Sequence, residues 1–546
     1  MEKHKMVPNQ TVVIINDLIS DIQPAARIKI PASATVIDGK GKYLLPGLTD
    51  AHVHFFQSGG LYTRPDVIDL RSVMPYPKEV EQAHKSMEEN LRRYLQHGIT
   101  SVIDVGATYS FLKQREQFRN ATHVPTLFMT GPLLTTWQPP VYEDLKDDEP
   151  FNLVRSVADG IKMVQQQLPF KPDFIKIWYI TSGDNVEASA REHLPVVKAI
   201  IAEAHKNKLM VAVHATERIT AQLAVESGAD FLVHSIEDED IKDDFVQLLK
   251  KNNTILCPTL TVMRGYSSTL GQNLTISTSD LLKSDPFQLG TLLDLRHIKD
   301  TMMASQYKKH FARPEVVSND RNREAVCRQN LKKLSDAGII IATGTDAGNI
   351  GTLHASSYFS ELKAMRESGM DNWKIIEAST INGARVMGKQ SEFGSVTKGK
   401  NANLILLDAN PAEDIGNLAT INRVINKGII FDPGKILPDT PVTLAQRQLN
   451  AYNLRNIDAF LEPYAEDVEV YAFPDKLLYK GKDQMRKEYA SMFEQVPNLH
   501  CELMARIVQG NIVIDKEKVQ YGKDIFDAVA IYHVEGDKIK RVYFIQ

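Results

Sequence analysis

Two kinds of apolar pattern alternate along the chain. Short runs rich in Val, Ile and Leu recur at 44–54 (LLPGLTDAHVH), 98–106, 124–131, 173–178 (DFIKIW), 209–215 (LMVAVHA), 229–235 (ADFLVHS), 254–260 and 338–348 (GIIIATGTDAG). They are continuous rather than alternating, as expected of strands covered on both faces. Between them lie segments of helical period such as LPVVKAIIAEAHKNK and ERITAQLAVESG, the second closed by a glycine at the expected C-terminal position. Eight buried strands interleaved with helices predict an α/β chain whose centre, residues 45–389, is a (β/α)8 TIM barrel.

Two turn-rich strand segments flank that region, at residues 1–44 and 390–436. They predict a small composite β-sandwich made from both ends of the barrel. After DPGKILPDTP the pattern changes to a helix, the strand VEVYAFP, a second helix and then strands near 498–509, 511–519, 526–534 and 538–545. Residues 441–546 are therefore expected to form a separate α+β domain.

At 546 residues the chain exceeds what one core supports, which agrees with several domains. A net charge of −4 gives no electrostatic footprint for nucleic acid or an anionic membrane. No apolar run reaches the roughly 18 residues of a membrane span, and the N-terminus lacks the apolar core of a signal peptide. The expectation is a cytoplasmic protein with a small-molecule substrate. The three cysteines, Cys257, Cys327 and Cys501, are far apart and suggest neither a disulfide framework nor a thiolate metal site.

Function in a barrel is sought at the C-terminal ends of its strands. Those ends carry His52 and His54 on the first strand, Lys176 on the fourth, His214 on the fifth, His234 on the sixth and Asp346 on the eighth. A lone histidine on an apolar strand is usually a satisfied core residue. Four histidines, a lysine and an aspartate at matching ends of five strands point instead to a metal centre. The H-x-H spacing would turn both imidazoles to one face of a strand.

On these residues the chain resembles the amidohydrolase superfamily, in its branch related to imidazolonepropionase and the Xaa-Pro dipeptidases. The supporting motifs are LLPGLTDAHVHF, DFIKIW, VAVHA, ADFLVHS and GTDAG, with ASTINGARVMG and GSVTKGKNANLILLD further on, covering roughly residues 10–436. The resemblance implies that His52 and His54 hold one metal, that Lys176 bridges two metals as a CO2-derived carbamate, and that His214 and His234 hold the second. Asp346 would touch the first metal and act as general acid/base. A lysine cation cannot ligate a dication, but burial beside positive charge favours the neutral amine that reacts with CO2. Two divalent ions, zinc by ligand type, would acidify a bridging water to hydroxide and polarise the substrate carbonyl.

The implied reaction is hydrolysis of a C–N amide bond in a small substrate such as an N-acyl amino acid or dipeptide. Lactone or phosphotriester hydrolysis at the same site is the alternative chemistry, and a non-catalytic ligand-binding barrel the alternative class. Arg264 and Tyr266 after the seventh strand, His354 beyond Asp346, and Tyr179 beside Lys176 are the candidate substrate-binding residues. Trp137, Tyr142 and Trp178 are candidate pocket aromatics. The connection from Thr261 to Ala337 is long enough to supply a lid or pocket wall. Through QRQLNAYNLRNIDAFLEPYAEDVEVY, YKGKDQMRKEYASMFEQVPNLHCEL and DAVAIYHVEGDKIKRVYFI, residues 441–546 resemble the SnoaL-like cones of the nuclear transport factor 2 type, which implies ligand binding or homo-oligomer formation through the exposed face of a bent sheet. His500 and Asp527 are its candidate pocket residues.

Overall fold

The computed structural model describes residues 5–143, 148–496 and 498–545. It divides into two compact units, one of Met1–Gln272 with Lys299–Leu437, the other of Asn273–Ile298 with Pro438–Gln546.

In the first unit the parallel strands Leu48–Val53, Ile99–Asp104 and Thr126–Met129 form one run. Phe174–Trp178, Met210–His214, Phe231–Val233 and Ile255–Cys257 form another. Residues around Ile341 and Ala347 join the runs through parallel bridges to Leu256 and Val53. Across the remaining gap the Asp173 N–H donates to the Met129 carbonyl at 3.0 Å. This is an arrangement of the TIM-barrel type. Alternation along its strands sets an inner apolar layer, including Phe174, Ala212 and Phe231, beneath the next inward residues, Lys176 and His214.

The eighth segment is bridged rather than a regular strand. Its Asp346 has φ of 60°, which breaks the pleat just where the carboxylate must turn inward. The stretch LLPGLTDAHVH also departs from the single strand its pattern predicts. It breaks at Gly47, and Tyr43–Pro46 pairs antiparallel with Leu404–Leu407 instead. Only glycine fits there, because a Cβ would collide with the Thr100 side chain.

Tyr43–Pro46 is the edge of a four-stranded sheet whose other strands, Leu404–Leu407, Ile421–Asn426 and Ile429–Phe431, come from the far side of the barrel sequence. A hairpin of Gln10–Ile15 and Leu18–Pro24 contributes Ile19 to a small core with Ala402, Leu404 and Ile425.

The second unit is built on a six-stranded sheet covered by the helices Pro441–Asn453 and Lys482–Gln495. Alternate residues of its Ile512–Tyr521 strand and of the later part of Asp524–Glu535 are buried, so one face encloses Val513, Val519, Ala530 and Val534 together with the carboxyls Asp515 and Glu517. This unit also takes in Asn273–Ile298, the middle of the long connection expected to wall the pocket. The reason lies on helix Pro441–Asn453. Its buried Arg447 donates to the Leu281 carbonyl at 3.0 Å and to that of Leu282, and Asn450 donates to the Pro286 carbonyl at 2.6 Å. These side chains satisfy backbone groups of a segment that has no sheet of its own. His500 lies in this unit too, stacked on His297 with ring centroids 3.4 Å apart.

Candidate metal centre

The two histidines of the first strand and the aspartate of the eighth converge. His52 Nε2 and His54 Nε2 each lie 3.1 Å from Asp346 Oδ1 and 3.3 Å from one another, with all three residues buried. They do not reach this point from a regular strand. Pairing with the second strand shifts register between Asp50 and Val53, and His54 lies one residue past the strand end. Gly348 allows the close approach: with φ of 109°, it sits where a Cβ would strike the His54 carbonyl oxygen.

Three buried carboxyls pin the strand ends around this point. Asp50 accepts from the Thr345 N–H at 3.0 Å, the Thr345 hydroxyl at 2.8 Å and the His52 N–H at 3.3 Å. It thus orders His52 through the backbone, not through its imidazole. Asp104 accepts from the Phe55 and Gly106 N–H groups at 3.0 Å each. Glu361 accepts from the N–H groups of Leu260 and Thr261 at 2.9 and 3.0 Å. Burial pushes each of these carboxyls up to about 7, against the pull of their hydrogen bonds.

The remaining predicted ligands stand beside the first three. The His234 ring lies 4.9 Å from that of His52 and 4.3 Å from that of His214, centroid to centroid. His234, like Asp346, has a positive φ, 78°, a conformation of the kind that clusters at functional sites. Lys176 is 1% exposed, and burial pushes its amine down to about 7 even though the Asp346 charge opposes the shift. Burial likewise pushes His52 down to about 4, and the charge of Lys176 adds to the depression of His52, His214 and His234.

The donor set fits a cation. His54 Nδ1 lies 2.9 Å from the Gly106 carbonyl, which can only accept, so Nδ1 donates there and Nε2 is the nitrogen turned to Asp346. His52 is neutral at pH 7 and Asp346 is ionised. Burial works against that ionisation, but His52 and His54 hold the carboxyl well below its usual range. Two imidazole nitrogens and a carboxylate oxygen thus meet in a buried pocket, a donor set that a divalent cation could take up in place of the protons they share. His234 Nδ1 is engaged by the Thr259 hydroxyl at 2.7 Å, which leaves Nε2 as the nitrogen that could ligate.

The four candidate substrate residues separate. Arg264 is not brought to the centre: its guanidinium is exposed and pairs with Glu324. The buried His354 ring stacks on Phe55 and lies between the Tyr94 hydroxyl at 3.1 Å and the Gln57 carbonyl at 2.9 Å, so both ring nitrogens are engaged within the protein. The Tyr179 hydroxyl donates to the Ala190 carbonyl. Tyr266 does connect to the centre. Its hydroxyl donates to Asn349 Oδ1 at 2.5 Å, and Asn349 Nδ2 donates to Asp346 Oδ1 at 2.8 Å.

Two residues that the motifs did not single out complete this chain. Arg64 donates to Asn349 Oδ1 at 2.5 Å and to the Tyr266 hydroxyl at 2.8 Å, while its fork grips Asp66. Asn349 sits three residues after Asp346 in GTDAGN, so its position in the turn was the available signal; Arg64 had none. Asn349→Ala removes a hydrogen bond to a charged group and should lower kcat on the order of ten- to a hundredfold. Metal content by elemental analysis should remain that of the parent.

A parallel barrel thus carries histidines, a lysine and an aspartate near its strand ends, a donor set that could hold divalent ions. The chain belongs to the amidohydrolase family, whose model matches residues 43–431, and a SnoaL-like domain matches residues 445–542. Imidazolonepropionase of Shouchella clausii (strain KSM-K16) is 22% identical over 458 residues, covering 78% of this chain and 84% of that protein. Among solved structures, a Xaa-Pro dipeptidase with methionine bound in its active site superposes with a TM-score of 0.56 at 23% identity, covering 77% of this chain and 94% of its own. Molinate hydrolase gives a TM-score of 0.57 at 20% identity, with 79% and 92% covered.

Proposed function

We infer that the protein is a binuclear metal-dependent hydrolase of the C–N bond of a small amide, with N-acyl amino acids and dipeptides as the first substrates to test. The observation that carries the reading is the convergence of His52 Nε2, His54 Nε2 and Asp346 Oδ1 within about a hydrogen-bond distance of one another. In this reading His52, His54 and Asp346 hold one divalent ion, His214 and His234 hold a second, and Lys176 joins them as its carbamate. Zinc suits these nitrogen and oxygen donors. When bound, such ions acidify water and polarise a carbonyl oxygen.

The chain's own groups supply the proton traffic. Ionised Asp346 accepts the proton of the attacking water and returns it to the amine nitrogen as the C–N bond breaks and the C–O bond forms. Asn349, held by Arg64 and Tyr266, keeps the carboxylate oriented for both transfers. We assign residues 1–44 and 390–436 to the small sandwich, 45–389 to the catalytic barrel and 441–546 to the SnoaL-like domain. Homo-oligomer formation through the second unit belongs to the same reading. Its support is the row Ile507, Ile514, Ile531 and Tyr543, paired directly across adjacent strands.

The test is a screen of metal-loaded protein on N-acyl amino acids, Xaa-Pro dipeptides, lactones and phosphotriesters. Turnover should appear on amides and disappear on chelation, then return with added zinc. Turnover confined to lactones or phosphotriesters, or indifferent to chelator, would overturn the assignment.

A further inference from the structure

A cleft of about 500 Å³ opens in the first unit between the segment after the first barrel strand and the segment after the third. Trp137, Pro139, Pro140 and Val141 form one wall, and Asp66, Asp69 and Arg71 line the other. Two routes of direct contact link it to the metal centre. Along one, the Trp137 ring lies 6.0 Å from that of Trp178, which meets the His214 ring edge-on at 5.9 Å. Along the other, Asp66 is gripped by Arg64, and Arg64 leads through Asn349 to Asp346. Trp178 thus stands between this wall and His214, and a substrate whose reacting carbonyl lies at the centre would have to extend its substituent past Trp178 to reach the wall.

The charges of the cleft are matched within the protein. Asp66 is neutralised by Arg64 and accepts from the Tyr142 hydroxyl at 2.9 Å, while Asp69 pairs with Arg71 at 2.7 Å. Arg264, the residue expected to hold a substrate carboxylate, is paired with Glu324. An incoming carboxylate would therefore compete with an existing acid at each of these arginines. The other wall is different in kind. Trp137 is 43% exposed, a large flat ring left open to the cleft beside two prolines. Flat aromatic faces and proline rings are surfaces on which a planar group packs without needing a charge.

The geometry points to this cleft as the seat of an uncharged aromatic group carried on the substrate's amide, Trp137 being its specificity-determining residue. The inference rests on the hydrolase reading and narrows it. Within the amides it favours aryl amides over substrates bearing a free carboxylate.

Binding can be read without turnover, because the chain has only three tryptophans, of which Trp137 lines the cleft and Trp178 stands against it. Full-length, metal-loaded protein is titrated with methanesulfonanilide, an aryl probe with no hydrolysable amide, and with N-methanesulfonylglycine, a carboxylate probe. Tryptophan fluorescence is followed in a Trp373→Phe background that removes the third emitter. The aryl probe should saturate the signal with a Kd at least about tenfold below that of the carboxylate probe. Trp137→Leu should weaken the aryl probe about five- to tenfold and leave the carboxylate probe unchanged. The exposed position of Trp137 makes the substitution compatible with folding, which circular dichroism verifies. Equal affinity for the two probes, or an aryl Kd unmoved by Trp137→Leu, would overturn the inference. Aryl binding that depends on Trp137 with no amide turned over would instead sink the hydrolase reading and leave the cleft assignment standing.

Discussion

Asp346→Asn should abolish amide turnover, lowering kcat by about three orders of magnitude or more, within the range general acid/base groups contribute. The carboxamide keeps the shape of the carboxylate and can still face His52 and His54, but it cannot accept a proton from water or deliver one to a leaving amine. His52 stays neutral in the variant. Burial already pushes its imidazole down to about 4, and the Asp346 carboxylate is the group that opposes that shift. Its removal therefore leaves the nitrogen lone pairs available to a metal. Elemental analysis separates the two roles of Asp346: retained metal with lost turnover assigns the defect to proton transfer, and lost metal assigns it to ligation. Turnover within tenfold of the parent, with metal retained, would remove Asp346 from the chemistry.

The convergence of His52, His54 and Asp346 was legible in the sequence because these residues fall at or just beyond the ends of barrel segments. Continuous apolar runs and the barrel rule lead one to expect His52, His54, Lys176, His214, His234 and Asp346 at one end of one barrel before any coordinates exist. The bulge after Asp50 and the left-handed turns at Asp346 and His234 were not legible, although they aim the side chains. Such conformations depend on what packs behind them, as the Gly348 contact with the His54 carbonyl shows.

Loop residues fared differently, since proximity in sequence to a strand end does not fix direction. Arg264 follows the seventh strand closely, yet its helix, Val262–Leu270, turns it to Glu324 and solvent while turning Tyr266 inward two residues later. Arg64 carries no motif, and its role follows from a partner 285 positions away. The placement of Asn273–Ile298 with the second unit was hidden for the same reason. The buried polar face of helix Pro441–Asn453 that holds it reads in sequence as ordinary helix surface.

Lys176→Ala should halve the metal content, from two equivalents per chain to one, and reduce turnover with it. The lysine is enclosed in the barrel with its amine pushed down to about 7, so near neutral pH a substantial fraction is the unprotonated form that CO2 can capture. An unmodified ammonium could not share this pocket with two dications. His214 and His234 alone would offer the second ion two nitrogens, fewer than the three protein ligands usual for a catalytic zinc. Protonation of the amine rises as pH falls through about 7, so the second equivalent should load at pH 8 with bicarbonate and fail to load at pH 6 or in CO2-free buffer. The first equivalent, on His52, His54 and Asp346, should load in CO2-free buffer at pH 8. Metal stoichiometry of stripped and reloaded protein, with a 44-dalton mass increment on the peptide bearing Lys176 under non-acidic conditions, reads both halves of this expectation. Two equivalents bound by Lys176→Ala, or by parent protein in CO2-free buffer, would show that the lysine does not bridge.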